Sequence, residues 1–243
     1  MSNGSFTSER HGPRENRLLA ALPADDYERL LPDLTRVPLA LGAALYESAS
    51  PLRHAYFPVS GLVSLLYTME DGHTAEIALV GNDGCVGVML LLGGGATTPS
   101  RGVVQIAGQA YRIDAERLRT EFYRGGRTQA LLLRYVQGLI TQITQTAVCN
   151  RHHSIEQQLC RWLLLSLDRL PTNEVRVTQE LVSNMLGVRR SGITLAAKRL
   201  QELGLIEYRR GHITVPDRAK LLAHACECYA VVKKEMDRLL PFG

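Results

Sequence analysis

Residues 177–215 read VTQELVSNMLGVRRSGITLAAKRLQELGLIEYRRGHITV. Thr178 is a good N-cap for a short helix over Gln179–Leu186. Gly187 breaks that helix, and a longer one runs from about Arg189 to Leu203 before stopping at Gly204. Val182, Leu186, Val188, Ile193 and Leu200 fall where two crossed helices would bury them. The arrangement is a helix-turn-helix. Two short strands, Leu205–Tyr208 and His212–Val215, follow around the turn Arg209-Arg210-Gly211 and make a positively charged wing.

Such a unit fits duplex DNA if the start of its second helix reaches base edges while nearby cations hold phosphates. Arg189, Arg190, Ser191, Thr194 and Lys198 lie on the N-terminal two-thirds of that helix, and spacings of three and four place the last four on one face. Arginine is the usual bidentate reader of guanine. Thr178 at the first cap and Arg209 and Arg210 in the wing complete the candidate contact set. The plain alternative is a helical hairpin with a solvated basic face. It leaves the agreement of cap, glycine turn, apolar core and wing unexplained.

Charge is divided along the chain. Residues 1–150 carry 13 Lys+Arg and 14 Asp+Glu, a balance of −1, whereas residues 151–243 carry 15 and 10, a balance of +5. A basic C-terminal part suits a polyanion. The five cysteines are odd in number and scattered, which argues against a disulfide framework and for reduced thiols in a cytoplasmic protein. No apolar run nears the roughly 20 residues that span a bilayer. Residues 1–18 are polar, lack a signal-peptide core, and read as a flexible N-terminus.

Upstream, residues 44–113 read as short strands: His54–Pro58, Gly61–Thr68, Thr74–Val80, Gly102–Ile106 and Gln109–Ile113. Turn signals at Glu70-Asp71-Gly72 and Ala107-Gly108 separate them. Many short antiparallel strands imply a sandwich, jelly roll or small barrel. Beyond Asp114 the pattern turns helical. Leu132, Val136, Leu139, Ile143 and Thr146 form a four-three-four-three stripe, as a dimer seam or a packed internal helix would. Ser154-Ile-Glu-Gln157 is a capping box that starts another helix, with Leu159, Trp162, Leu163 and Leu167 as its core face. The chain therefore reads as α+β: flexible residues 1–18, an antiparallel β-roll at 19–120, a long central helix at 121–153, a winged helix-turn-helix at 154–225, and a C-terminal helix or tail at 226–243.

This layout resembles the Crp-Fnr transcription regulators. The resemblance rests on YFPVSGLVSLLYTMEDG (56–72), GNDGCVG (81–87) and, above all, VTQELVSNMLGVRRSGITLAAKRLQELGLI, and covers about residues 19–220. It implies a cyclic-nucleotide-binding-like roll with an effector pocket, a homodimer through the central helices, and a palindromic operator. Half-sites would lie about 34 Å apart. It places Arg190, Ser191 and Thr194 at base-contacting positions. Glutamate is frequent in the family where Ser191 stands, and arginine where Leu195 stands. RNA polymerase is a further expected partner.

In nucleotide-binding members, Gly-Glu and then Arg-Ser or Arg-Thr hold the ligand: the acid takes a ribose hydroxyl and the arginine the phosphate. Here Gly87 is followed by Val88, and Arg101 stands between Ser100 and Gly102, with Thr144 on the central helix as the remaining pocket residue. A site missing its hydroxyl partner binds poorly, so cyclic AMP binding in the family manner is not expected. The effector is unknown, and the alternative is a cyclic-nucleotide-responsive regulator with Arg101 as phosphate ligand. The stretch lacks the Gly-Lys-Ser/Thr of a P-loop, and Gly81, Gly84 and Gly87 read as turns and corners. Neither a catalytic residue, a cofactor nor a metal is expected. Cys226-x-Cys228 near His224 is a weak metal or redox signal, and His152-His153 reads as a solvated helix end. A cupin-like enzyme would need clustered ligands in the roll, where His54 and His73 are the only histidines. A third reading is an adaptor whose helix-turn-helix no longer binds DNA.

Overall fold

The structure is a computed structural model that describes residues 12–93, 97–209 and 211–240. Five antiparallel strands build the roll: β1 (Thr35–Leu39), β2 (Ala44–Tyr46), β3 (His54–Thr68), β4 (Thr74–Val80) and β5 (Ser100–Asp114). Their order is β1-β5-β3-β4, with β2 also on β5. The Asp71-Gly72 turn closes the β3–β4 hairpin, with Gly72 at φ +85. The expected breaks at Val59-Ser60 and Ala107-Gly108 are not turns. β3 and β5 are each continuous and bend together there, with register shifts between Pro58 and Val63. Gly61 has φ +80, and a Cβ on it would strike Ile106 O; one on Gly108 would strike Ser60 O. Two facing glycines let the backbones cross closely through a bulge, which a turn signal in one strand cannot announce.

Of the segment expected to be flexible, residues 1–11 lie outside the described residues, and the rest is ordered. Asn16 is fully buried; its side-chain amide donates to Pro58 O and Gly84 O, both at 2.9 Å, and its Oδ1 caps α1 (Arg17–Ala20). Leu18 and Leu19 join the roll's core, as do Tyr27 and Leu30 of α2 (Ala24–Leu30). Burying Leu18 and Leu19 outweighs the fraying expected of a polar terminus.

The helix that opens at Asp114 is α3 (Ala115–Tyr123), capped by the Asp114 side chain. Gly125 and Gly126, both at positive φ, separate it from α4 (Gly126–His152). The central helix therefore starts after residue 121. The expected dimer stripe is corrected by the fold. Leu132, Val136, Leu139 and Thr146 are buried within the chain and Ile143 is half-buried, because the roll lies against this face. Tyr135 Oη donates to Cys85 O at 3.0 Å and Gln142 Nε2 to Leu79 O at 3.1 Å. A further side is covered by α9 (Glu227–Leu239), which follows the short α8 (Arg218–His224) and whose Met236 sulfur occupies the space a Cβ on Gly138 would need. The exposed large apolar side chains of α4 are Leu133, Ile140 and Val148, with Leu133 45% and Ile140 57% exposed.

GNDGCVG is the joint between roll and helices. Arg169 follows α5 (Ile155–Leu167), itself opened by the Ser154–Gln157 capping box. Buried Arg169 pairs with Asp83, Nη2 to Oδ2 at 2.8 Å and Nε to Oδ1 at 2.9 Å. It also donates to Gln142 Oε1 at 3.2 Å and Leu165 O at 2.7 Å. A Cβ on Gly81 would lie 2.7 Å from Arg169 Cβ, and one on Gly84 2.5 Å from Tyr135 Oη. These two glycines admit side chains from other elements.

Candidate nucleic-acid interface

Thr178 Oγ1 accepts from Leu181 N at 3.2 Å and caps α6 (Gln179–Leu186), and Gly187 at φ +65 ends it. Helix α7 (Arg190–Glu202) starts after Arg189. Val182, Met185 and Leu186 pack against Ile193, Ala196, Ala197 and Leu200, with Val188 half-buried. α5 passes close behind: a Cβ on Gly192 would meet Ile155 Cδ1 at 2.7 Å. With its apolar face occupied, α7 presents Arg189, Arg190, Ser191, Thr194 and Lys198 outward. Leu195 is exposed beside them. Thr194 Oγ1 donates to Gln179 Oε1 at 2.8 Å, which joins the two helices, and Lys198 lies 3.8 Å from Glu202.

The wing strands are β7 (Glu207–Arg209) and β8 (His212–Thr214), with Gly211 at φ +83; β6 (Glu174–Arg176) pairs on the far side of β8. The hairpin therefore ends a three-stranded sheet, and β6 escaped the sequence reading because three residues show no period. His212 Nδ1 lies 2.6 Å from Glu174 Oε1, and this contact with Arg176 holds the Glu174 carboxyl below its usual range. Arg209 is exposed; Arg210 lies outside the described residues.

The β3–β4 hairpin abuts this head. His73 and Thr74 share a cleft of about 590 Å³ with Glu180, Asn184, Arg189 and Arg190. Beneath it, the buried Ser64 hydroxyl donates to Glu76, and Met185 Sδ lies 3.7 Å from that oxygen. Burial pushes the Glu76 carboxyl up to about 7, against the pull of Ser64, Arg161 and Arg169.

The effector residues take up different settings in the fold. Gly87 has φ +89, and a Cβ there would lie 2.9 Å from His54 O. Val88 is buried in the core. Ser100 is buried and bonded to Tyr46 Oη at 3.2 Å and Thr98 Oγ1 at 3.0 Å. The Tyr46 ring sits where a Cβ on Gly102 would go. Arg101 Nη2 pairs with the exposed Glu47 at 3.2 Å, while its buried Nε has no partner among the described residues. Thr144 is on the exposed side of α4.

At the far end of α4, Cys226 and Cys228 are buried beside Cys149. Their histidine is His153, with Nδ1 3.4 Å from Cys228 Sγ; it is not His224. His152 is exposed, but His153 is drawn in by α9 and is no solvated end. The Cys149–His153 spacing, one helical turn, was the available signal. The Asp83–Arg169–Gln142 network had none, since its members are far apart in sequence.

Comparison with known proteins follows the two halves. Residues 157–224 match the Crp-like helix-turn-helix domain and residues 36–123 the cyclic nucleotide-binding domain. A comparison with curated proteins returned no match. Among solved structures, FixK2 from Bradyrhizobium japonicum is 15% identical at a TM-score of 0.66, covering 79% of this chain and 98% of that one. The c-di-GMP responsive global regulator CLP of Xanthomonas campestris is 20% identical at 0.61, covering 79% and 99%. A CRP/FNR family transcriptional regulator from Thermus thermophilus is 18% identical at 0.60, covering 81% and 98%.

Proposed function

The chain belongs to the Crp-Fnr family of transcription regulators and is not an enzyme, and from that premise we propose that it binds a palindromic operator as a homodimer. The observation that carries this reading is the orientation of α7: one face is buried against α5 and α6, and the other offers Arg190, Ser191, Thr194 and Lys198 together. In the major groove, Arg190 and Ser191 would read base edges, and Arg189, Lys198, Arg209 and Arg210 would hold phosphates. The dimer seam consists of Leu133, Ile140, Thr144 and Val148, the uncovered side of α4. Among the described residues no helix is long and apolar enough to cross a membrane, and the cytoplasm is the compartment this function implies, with RNA polymerase as a promoter partner.

The test is a band shift on an operator selected from random duplexes. Arg190→Ala is expected to lose on the order of 1–3 kcal/mol and to relax base preference at one position of each half-site. Retardation equal to the parent would refute the assignment.

The roll does not take cyclic AMP in the family manner. Buried Val88 and the Arg101–Glu47 pair support this. A thermal shift with cyclic AMP or c-di-GMP is expected to be flat. The unpartnered Arg101 Nε favours one alternative, an anionic ligand that displaces Glu47. A nucleotide-induced shift that Arg101→Ala abolishes would establish it.

A further inference from the structure

Cys149 lies in the last turn of α4, and His153, the helix's C-cap residue four positions on, donates its backbone N–H to Cys149 O at 3.0 Å. Cys226 occupies the N-cap position of α9 and Cys228 lies in its first turn. The fold brings these two pairs together although they are distant in sequence. One ligand atom from each of the four residues lies within 4.8 Å of all the others. All three cysteines are buried and none forms a disulfide.

Three buried thiols can be simple hydrophobic filler. The polar groups around them say otherwise. Cys149 Sγ is 3.6 Å from Cys226 Sγ, and His153 Nδ1 is 3.4 Å from Cys228 Sγ. Zinc–sulfur bonds of about 2.3 Å and zinc–nitrogen bonds of about 2.0 Å set tetrahedral edges of about 3.8 Å and 3.5 Å, which these distances match. The other imidazole nitrogen, Nε2, lies 3.5 Å from Glu227 Oε2, the carboxylate support usual for a metal-bound histidine. Gln145 Nε2 donates to Cys228 Sγ at 3.2 Å, as an amide does toward a thiolate.

The charge balance points the same way. Arg161 is buried, its Nη1 donates to Thr146 Oγ1 at 3.0 Å, and its Nε has no partner among the described residues. Among the described residues no carboxylate lies within ion-pair distance of it, although the buried Glu76 feels its charge. A divalent ion with three thiolates and a neutral imidazole carries −1 and adds to the negative charge that Arg161 faces.

We propose that Cys149, His153, Cys226 and Cys228 bind one zinc ion, which pins the start of α9 to the end of α4. Four protein ligands leave no open position, so the ion is structural. Soft thiolate and imidazole donors select zinc over magnesium or calcium. The clamp sits at the junction where α4 hands over to α5, and Met236 against Gly138 fastens α9 further along the same helix.

The test uses the full chain, purified under reducing conditions without chelator. Elemental analysis is expected to find one zinc per chain. Replacement by cobalt should produce a thiolate charge-transfer band and the strong visible bands of a tetrahedral site. Glu227→Gln, at an exposed position outside the ligand set, is expected to weaken metal binding by about 10- to 100-fold while the chain folds normally. Cys226→Ser with Cys228→Ser should lose the ion. A reduced parent that binds no cobalt would overturn the proposal. So would a Cys149–Cys226 disulfide in the protein as isolated, iron or copper in place of zinc, or unchanged affinity in Glu227→Gln.

Discussion

Glu76 makes stability depend on pH in the sense opposite to most carboxylates. It is buried where β4 meets the helix-turn-helix head, and burial raises its carboxyl from 4.5 to about 7. The folded state therefore holds the proton more tightly than the unfolded chain. Stability is fully present below about pH 4.5 and is lost as pH rises towards about 7, where the loss levels off. At about 1.4 kcal/mol for each unit of displacement, the loss is on the order of 3 kcal/mol. Glu76→Gln keeps the shape and an acceptor for Ser64 but does not titrate. In urea unfolding monitored by circular dichroism, the two proteins should be close at pH 5, and the variant should be more stable by about 3 kcal/mol at pH 8. A difference between them that stays constant from pH 5 to pH 8 would refute the reasoning. It would mean that Arg161 and Arg169 already hold the buried group as a carboxylate.

Asp83→Ala strands the Arg169 guanidinium in the joint between roll and helices, and a loss of about 3–5 kcal/mol in chemical unfolding is expected. Gly84→Ala drives a methyl group against the Tyr135 hydroxyl and breaks its bond to Cys85 O, at a cost of about 1–3 kcal/mol by the same measurement. Ile140→Glu puts charge into the uncovered face of α4. Sedimentation should show monomer, and operator affinity should fall, while a monomeric parent would refute the seam.

The elements that the sequence announced depend on neighbours within a few residues. The Thr178 cap, the Gly187 turn and the Ser154–Gln157 capping box all form where they were read. The Asp71-Gly72 hairpin also stands, because a positive-φ glycine between two strand-forming runs is a local instruction. Readings failed where a feature needs a partner from elsewhere. Gly61 and Gly108 each look like punctuation alone, and only their pairing shows them to be a crossing point inside long strands.

The central helix makes the division plain. α4 carries two apolar stripes, one through Leu132, Val136 and Leu139 and one through Leu133, Ile140 and Val148. Periodicity shows that a face is apolar but not what covers it. The sequence alone determined the order of roll, long helix and basic winged head, since each follows from short-range pattern and composition. The tertiary structure decided which stripe the roll and α9 cover and that Arg101 turns to Glu47. It also decided that His153, not His224, stands beside Cys228. Those choices depend on contacts across long loops, whose geometry no local spacing encodes.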